Sequence, residues 1–182
     1  MPPPTPTPVP VRLCSSDRPA YDARVAQLEA DIASAMQDFE GTWGFALYDL
    51  DCDTWAGVDA DYFEYTASTG KLPFIIAGLR AVQEGRVPFE ELRVDFETVL
   101  RVSSDDSANS IMARVSREEV EEVLRIAGVS EATTWQDSRA NDYSTPADIS
   151  RIWTAVLRGE LLNEEWTEYL LQLASDSEVA DA

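Results

Sequence analysis

The chain has 182 residues, 45% of them hydrophobic and 26% charged, enough to bury one core of ordinary size. Its 34 acidic residues against 14 basic ones leave a net charge of −20, which argues against nucleic acid or an anionic membrane surface as partner. Histidine is absent, which removes Ser-His-Asp and Cys-His catalysis and every His-ligated metal site, and 13 of the 14 basic residues are Arg. Lys71 is the one side-chain amine able to lose a proton, because Arg does not.

Met1 to Pro10 alternates Pro and Thr, a composition that favours an extended polyproline spacer. Residues 1–20 therefore read as a linker and 21–182 as the folded domain. Such a stretch reads either as a spacer to an export or anchor segment upstream, which implies an extracytoplasmic location, or as a frayed tail. No run of 18 apolar residues occurs, so no membrane span is expected in this chain. Cys14 and Cys52 have the option of one disulfide in an oxidising compartment, and the sequence leaves their pairing open.

Tyr21, Val25, Leu28, Ile32, Met36 and Phe39 recur at steps of three and four, predicting a helix over 21–39 that Gly41 ends. Thr42–Leu50, with Trp43, Phe45 and Leu47 alternating, predicts a strand. Asp51 to Asp53 reads as a turn and Thr54–Val58 as the returning strand. Beyond Ser68 the period becomes helical. Leu72, Ile75, Ile76, Leu79 and Val82 mark a central buried helix with Pro73 in its first turn. Further helices are predicted over 89–102, 106–115 and 117–127, the last with its glutamates facing solvent. After a polar stretch, Ser144-Thr-Pro-Ala-Asp148 starts another helix, and a last one spans about 163–174. Trp153 and Trp166 fall on apolar helix faces as core residues. No strand is expected after residue 58, although a two-stranded hairpin bearing Trp43 and Phe45 calls for a larger sheet.

The sharpest chemical feature is Ser68-Thr-Gly-Lys71. Positions i and i+3 share a helix face, so the Ser68 hydroxyl and Lys71 amine can meet, and a neutral lysine is a sensible base for a serine where no histidine exists. The acidic run Ser104-Asp105-Asp106 lacks the alternating ligands and glycine of a calcium loop, and no metal or cofactor is expected.

Gly44-Phe-Ala-Leu-Tyr-Asp-Leu-Asp51, followed by Phe63-Glu-Tyr-Thr-Ala-Ser-Thr-Gly-Lys-Leu-Pro73, resembles the first hairpin and nucleophile helix of the class A β-lactamases and penicillin-recognising serine hydrolases. Ser103-Ser-Asp-Asp-Ser-Ala-Asn109 resembles their second motif. Asn141 to Asp148 and Arg158 to Leu162 resemble the helix that follows the family's Ω-loop. The resemblance spans about residues 35–175. It implies an α+β, β-lactamase/transpeptidase-like fold: an N-terminal helix and β-hairpin plus an all-helical subdomain, the remaining sheet strands lying outside the chain. It implies a serine hydrolase that cleaves a β-lactam amide through an acyl-serine intermediate, with a small-molecule β-lactam or peptidoglycan-related substrate. Ser68 would be nucleophile, Lys71 base or relay, Ser103 proton shuttle, and Asp105 would take the substrate-binding position of the second motif.

Three departures bear on activity. Asp105 replaces a neutral amide with a group that only accepts hydrogen bonds. Glu131 and Asp137 are the acids nearest the place of the family's deacylating glutamate, and neither has its spacing. No K-T-G segment occurs in these residues. The alternatives are a D,D-peptidase or esterase relative, or a catalytically silent, truncated member that serves as a binding or structural domain. For Ser103 the competing role is capping the helix that begins near Asp106.

Overall fold

The computed structural model describes residues 13–131, 133 and 143–176. They fall into two compact units, divided between Ala60 and Asp61.

The first unit holds α1 (Leu13–Ser16), α2 (Arg18–Ala35) and a hairpin of β1 (Phe45–Asp49) and β2 (Thr54–Val58). Residues 13–20, within the stretch read as linker, thus include helical turns. The signal lies in Asp17-Arg-Pro19: the Asp17 carboxylate accepts from Ala20 N at 3.1 Å, with Pro19 in the first turn. α2 stops at Ala35, short of the expected 39, and Phe39 beyond it is 65% exposed, with no packing to reward further helix. β1 starts at Phe45 rather than Thr42, and the sheet it forms has two strands. It pairs antiparallel with β2, Phe45 opposite Val58 and Asp49 opposite Thr54. The Asp49 carboxylate organises the turn by accepting from Asp51 N and Cys52 N. Glu29 on α2 accepts from Gly57 N at 2.9 Å. A Cβ at Gly57 would lie 2.8 Å from Ala60 Cβ, so glycine is what lets the chain turn back there. Cys14 and Cys52 form a disulfide that fastens α1 to the hairpin turn.

The second unit is built on α3 (Leu72–Gln83), in which every residue from Leu72 to Leu79 is buried. α4 (Phe89–Val102), α5 (Asp105–Met112), α6 (Arg117–Ile126), α7 (Pro146–Leu157) and α8 (Glu164–Ser175) follow. α3 packs on α5 and α6, α4 on α5 and α8. Gly78 marks where α3 approaches most closely: a Cβ there would sit 2.7 Å from Ile111 Cγ2, with Phe96 next to it. Trp153 and Trp166 pack half-buried against this core, as their helix positions predict. Among the described residues, no helix is long and apolar enough to cross a membrane.

Two strands not expected from the sequence appear here. β3 (Glu64–Tyr65) pairs antiparallel with β4 (Tyr143–Ser144), Tyr65 opposite Tyr143. Two residues carry no periodic signal, and their pairing exists only because the chain returns to this point.

α7 also carries a fully buried carboxylate, Asp148. It accepts from Ser130 N (3.1 Å), Ser130 Oγ (2.6 Å), Thr133 Oγ1 (2.5 Å) and Arg151 Nη1 (2.5 Å). Burial pushes this carboxyl up, but the bonds from Ser130, Thr133 and Arg151 outweigh it and hold the group below its ordinary value. A carboxyl lowered in the folded state stabilises above its unfolded value, near pH 4, and that contribution is lost as pH falls further. Asp148→Asn is therefore expected to cost about 2–4 kcal/mol at neutral pH. Urea unfolding at pH 7 and at pH 3.5 checks this: the difference from the parent should shrink at the lower pH.

Candidate active site

Tyr65 leads through Thr66 into a 3-10 helix, Ala67–Lys71, that runs directly into α3. The lead-in is strained: Ala67 has φ +48°, a left-handed value that an alanine adopts only when its surroundings dictate it. Ser68 follows and is exposed, whereas Gly70 is buried and Lys71 half-buried. The serine thus opens to solvent on the same turn whose lysine points into the protein.

Lys71 makes three contacts, all from the α4–α5 junction. Nζ donates to Ser103 O at 2.5 Å and to Ser103 Oγ at 3.1 Å, and it lies 2.7 Å from Asp105 Oδ1. Three acceptors match the three N–H groups of an ammonium, so in this arrangement Lys71 is wholly a donor. Its side chain keeps 15% of its surface and that of Asp105 keeps 64%, so water weakens the pair from the carboxylate side.

Ser103 ends α4 in a left-handed conformation, φ +57°. This kink turns both its carbonyl and its hydroxyl onto Lys71. The competing capping role belongs to its neighbour: Ser104 Oγ accepts from Ser107 N at 3.2 Å and caps α5, which begins at Asp105 rather than 106. In a run of two serines and two aspartates the sequence could not tell which hydroxyl caps.

A cleft of about 250 Å³ opens over this turn. Tyr65, Ala67, Ser68, Gly70, Lys71, Phe74, Asp105, Ala108, Asn109 and Met112 line it. Ser68, Lys71 and Asp105 therefore share one cleft, and Ser103 joins them through Lys71. Among the described residues, no hydrogen bond joins Ser68 to Lys71. Of the acids considered for deacylation, Glu131 is exposed and not part of the cleft wall, and Asp137 lies outside the described residues. Tyr65 and Asn109 are wall residues that the sequence reading did not single out. The i+4 spacing from Asp105 to Asn109 was the available signal for the second. Among the described residues, no group of three or more Cys, Asp or Glu is arranged to hold a metal ion.

The family model described as the beta-lactamase enzyme family matches residues 27–98 and 95–181. The chain belongs to that family, and its α+β architecture is the β-lactamase/transpeptidase-like fold. A beta lactamase from Xanthomonas campestris is 17% identical with a TM-score of 0.74, over 86% of this chain and 72% of that one. PBP-A is 19% identical with a TM-score of 0.72, over 84% and 69%. A variant of PBP-A, solved as an acyl-enzyme complex with penicillin G, is 20% identical with a TM-score of 0.69, over 86% and 70%. At these identities the likeness is one of fold. No curated protein matches this chain.

Proposed function

We propose that this chain is a serine hydrolase that is acylated by β-lactams at Ser68 and releases the product slowly. The observation that carries the reading is the shared cleft: an exposed serine and an inward lysine on one turn, with the lysine touching Ser103 and Asp105. In the first step Ser68 Oγ attacks the β-lactam carbonyl carbon while its proton passes to a neutral Lys71. The Ser68 N–H is available to the developing oxyanion. The C–N bond then breaks, and the leaving nitrogen takes its proton through the Ser103 hydroxyl, which Lys71 Nζ already contacts. Water later cleaves the ester.

Two observations favour slow turnover over rapid hydrolysis. Among the described residues no glutamate lines the cleft, so none stands ready to activate the deacylating water. Lys71 also directs all three of its donors to Ser103 and Asp105 and none to Ser68. The second observation equally supports the silent-member alternative, and one experiment separates the two. Incubation with penicillin G followed by mass spectrometry should show a persistent adduct on Ser68, absent from Ser68→Ala. Rapid disappearance of the antibiotic with no adduct would indicate an ordinary β-lactamase, and no reaction at all a silent one.

Asp105→Asn tests the ion pair. The amide removes the charge facing Lys71 and restores a donor to the cleft. An exposed ion pair is worth on the order of 1 kcal/mol, so acylation should accelerate about five- to tenfold. An unchanged rate would show that Asp105 does not restrain Lys71.

The Cys14–Cys52 disulfide supports an extracytoplasmic setting, since such bonds persist in oxidising compartments.

A further inference from the structure

Phe63, Tyr65 and Tyr143 form a contiguous ledge of rings that reaches the cleft through Tyr65. Pairing of β3 with β4 sets Tyr65 opposite Tyr143, and Phe63 precedes Tyr65 by two residues along the chain. Phe63 stacks on Tyr143, with centroids 5.7 Å apart and planes 15° from parallel, and Tyr65 meets Tyr143 edge-on at 6.0 Å. These rings do not serve the core: they keep 40%, 49% and 38% of their surface, whereas Phe96 is fully buried. A contiguous exposed aromatic patch on a folded protein marks a binding surface more often than chance. Tyr65 belongs both to the ledge and to the wall that holds Ser68. The same lining includes the apolar Phe74, Ala108 and Met112 as well as the polar Ser68, Lys71, Asp105 and Asn109.

We infer that this ledge is a specificity subsite for an aryl group on the acyl side chain of the substrate. The inference rests on the acyl-serine reading and names the substrate class it would prefer. The polar residues receive the reacting amide, and Tyr65, which joins the ledge to that cleft, offers a ring on which a planar group can stack in offset or edge-on geometry. A neutral ring also avoids the repulsion that a surface of net charge −20 imposes on further anionic groups.

Two probes share one bicyclic nucleus: penicillin G, with its phenylacetyl amide, and 6-aminopenicillanic acid, with a free amine in that place. Ratios between protein variants cancel the intrinsic reactivity of each probe. Tyr65→Ala and Phe63→Ala should slow Ser68 acylation by penicillin G about three- to tenfold more than acylation by 6-aminopenicillanic acid, as befits one lost ring contact. Equal slowing of both probes, or of neither, would overturn the inference while leaving the acyl-serine reading intact. A measurement without acylation keeps the two separable. In Ser68→Ala, saturation-transfer NMR with penicillin G should label the phenyl protons more strongly than the nucleus, and the added Tyr65→Ala change should abolish that preference. Uniform or absent labelling of the ring would overturn the subsite.

Discussion

Lys71→Ala is expected to slow acylation of Ser68 by penicillin G at least a hundredfold, the lower end of what a positioned general base contributes. The chain has no other lysine and no histidine, so no second side-chain amine or imidazole can take over the proton. Stability should change little, because the ion pair that is lost has a largely exposed partner in Asp105. Lys71→Arg sharpens the test. Guanidinium keeps the positive charge toward Ser103 and Asp105 but does not give up a proton, so it should fail as a base. If arginine restores acylation, Lys71 acts as a structural cation. If alanine leaves the rate unaltered, it has no part in the chemistry.

Opening the Cys14–Cys52 bond should have the second large effect. The bridge closes a loop with a sequence separation of 38, for which chain entropy predicts about 4 kcal/mol of stabilisation. α2 contains no buried residue and two-stranded hairpins are marginal alone, so the bridge adds to polar contacts of α2 with the hairpin, Tyr21 with Asp49 and Glu29 with Gly57. Amide hydrogen exchange across α2, β1 and β2 reads this directly. Cys52→Ser, or reduction of the parent, should lower protection there by about a hundred- to a thousandfold. Unchanged protection would mean that α2–hairpin contacts such as Glu29 with Gly57 suffice without the bridge.

Much of the helical subdomain was legible because its cues are local. Phe89–Val102 came out with its observed bounds, and Thr145-Pro-Ala-Asp148 announced α7 through a hydroxyl cap and a proline that the folded chain uses as such. The serine–lysine spacing likewise put both residues on one turn. Where cues were equivalent, local reasoning had no means to choose. Ser103 and Ser104 are chemically alike, and only the left-handed turn at the end of α4 assigns one to Lys71 and the other to the cap. Asp148 read as an ordinary first-turn acid until the fold brought Ser130, Thr133 and Arg151 to it.

Composition and order alone determined that this chain has one dissociable side-chain amine, no histidine, and a serine one turn before that amine. Those facts restrict the chemistry whatever shape the chain takes. Folding alone decided that Lys71 would face Ser103 and Asp105, that Cys14 would reach Cys52, and that Tyr65 would lie beside Tyr143. Each of these is a meeting of groups 30 or more residues apart, and such meetings are set by how helices and strands pack rather than by any periodicity along the chain.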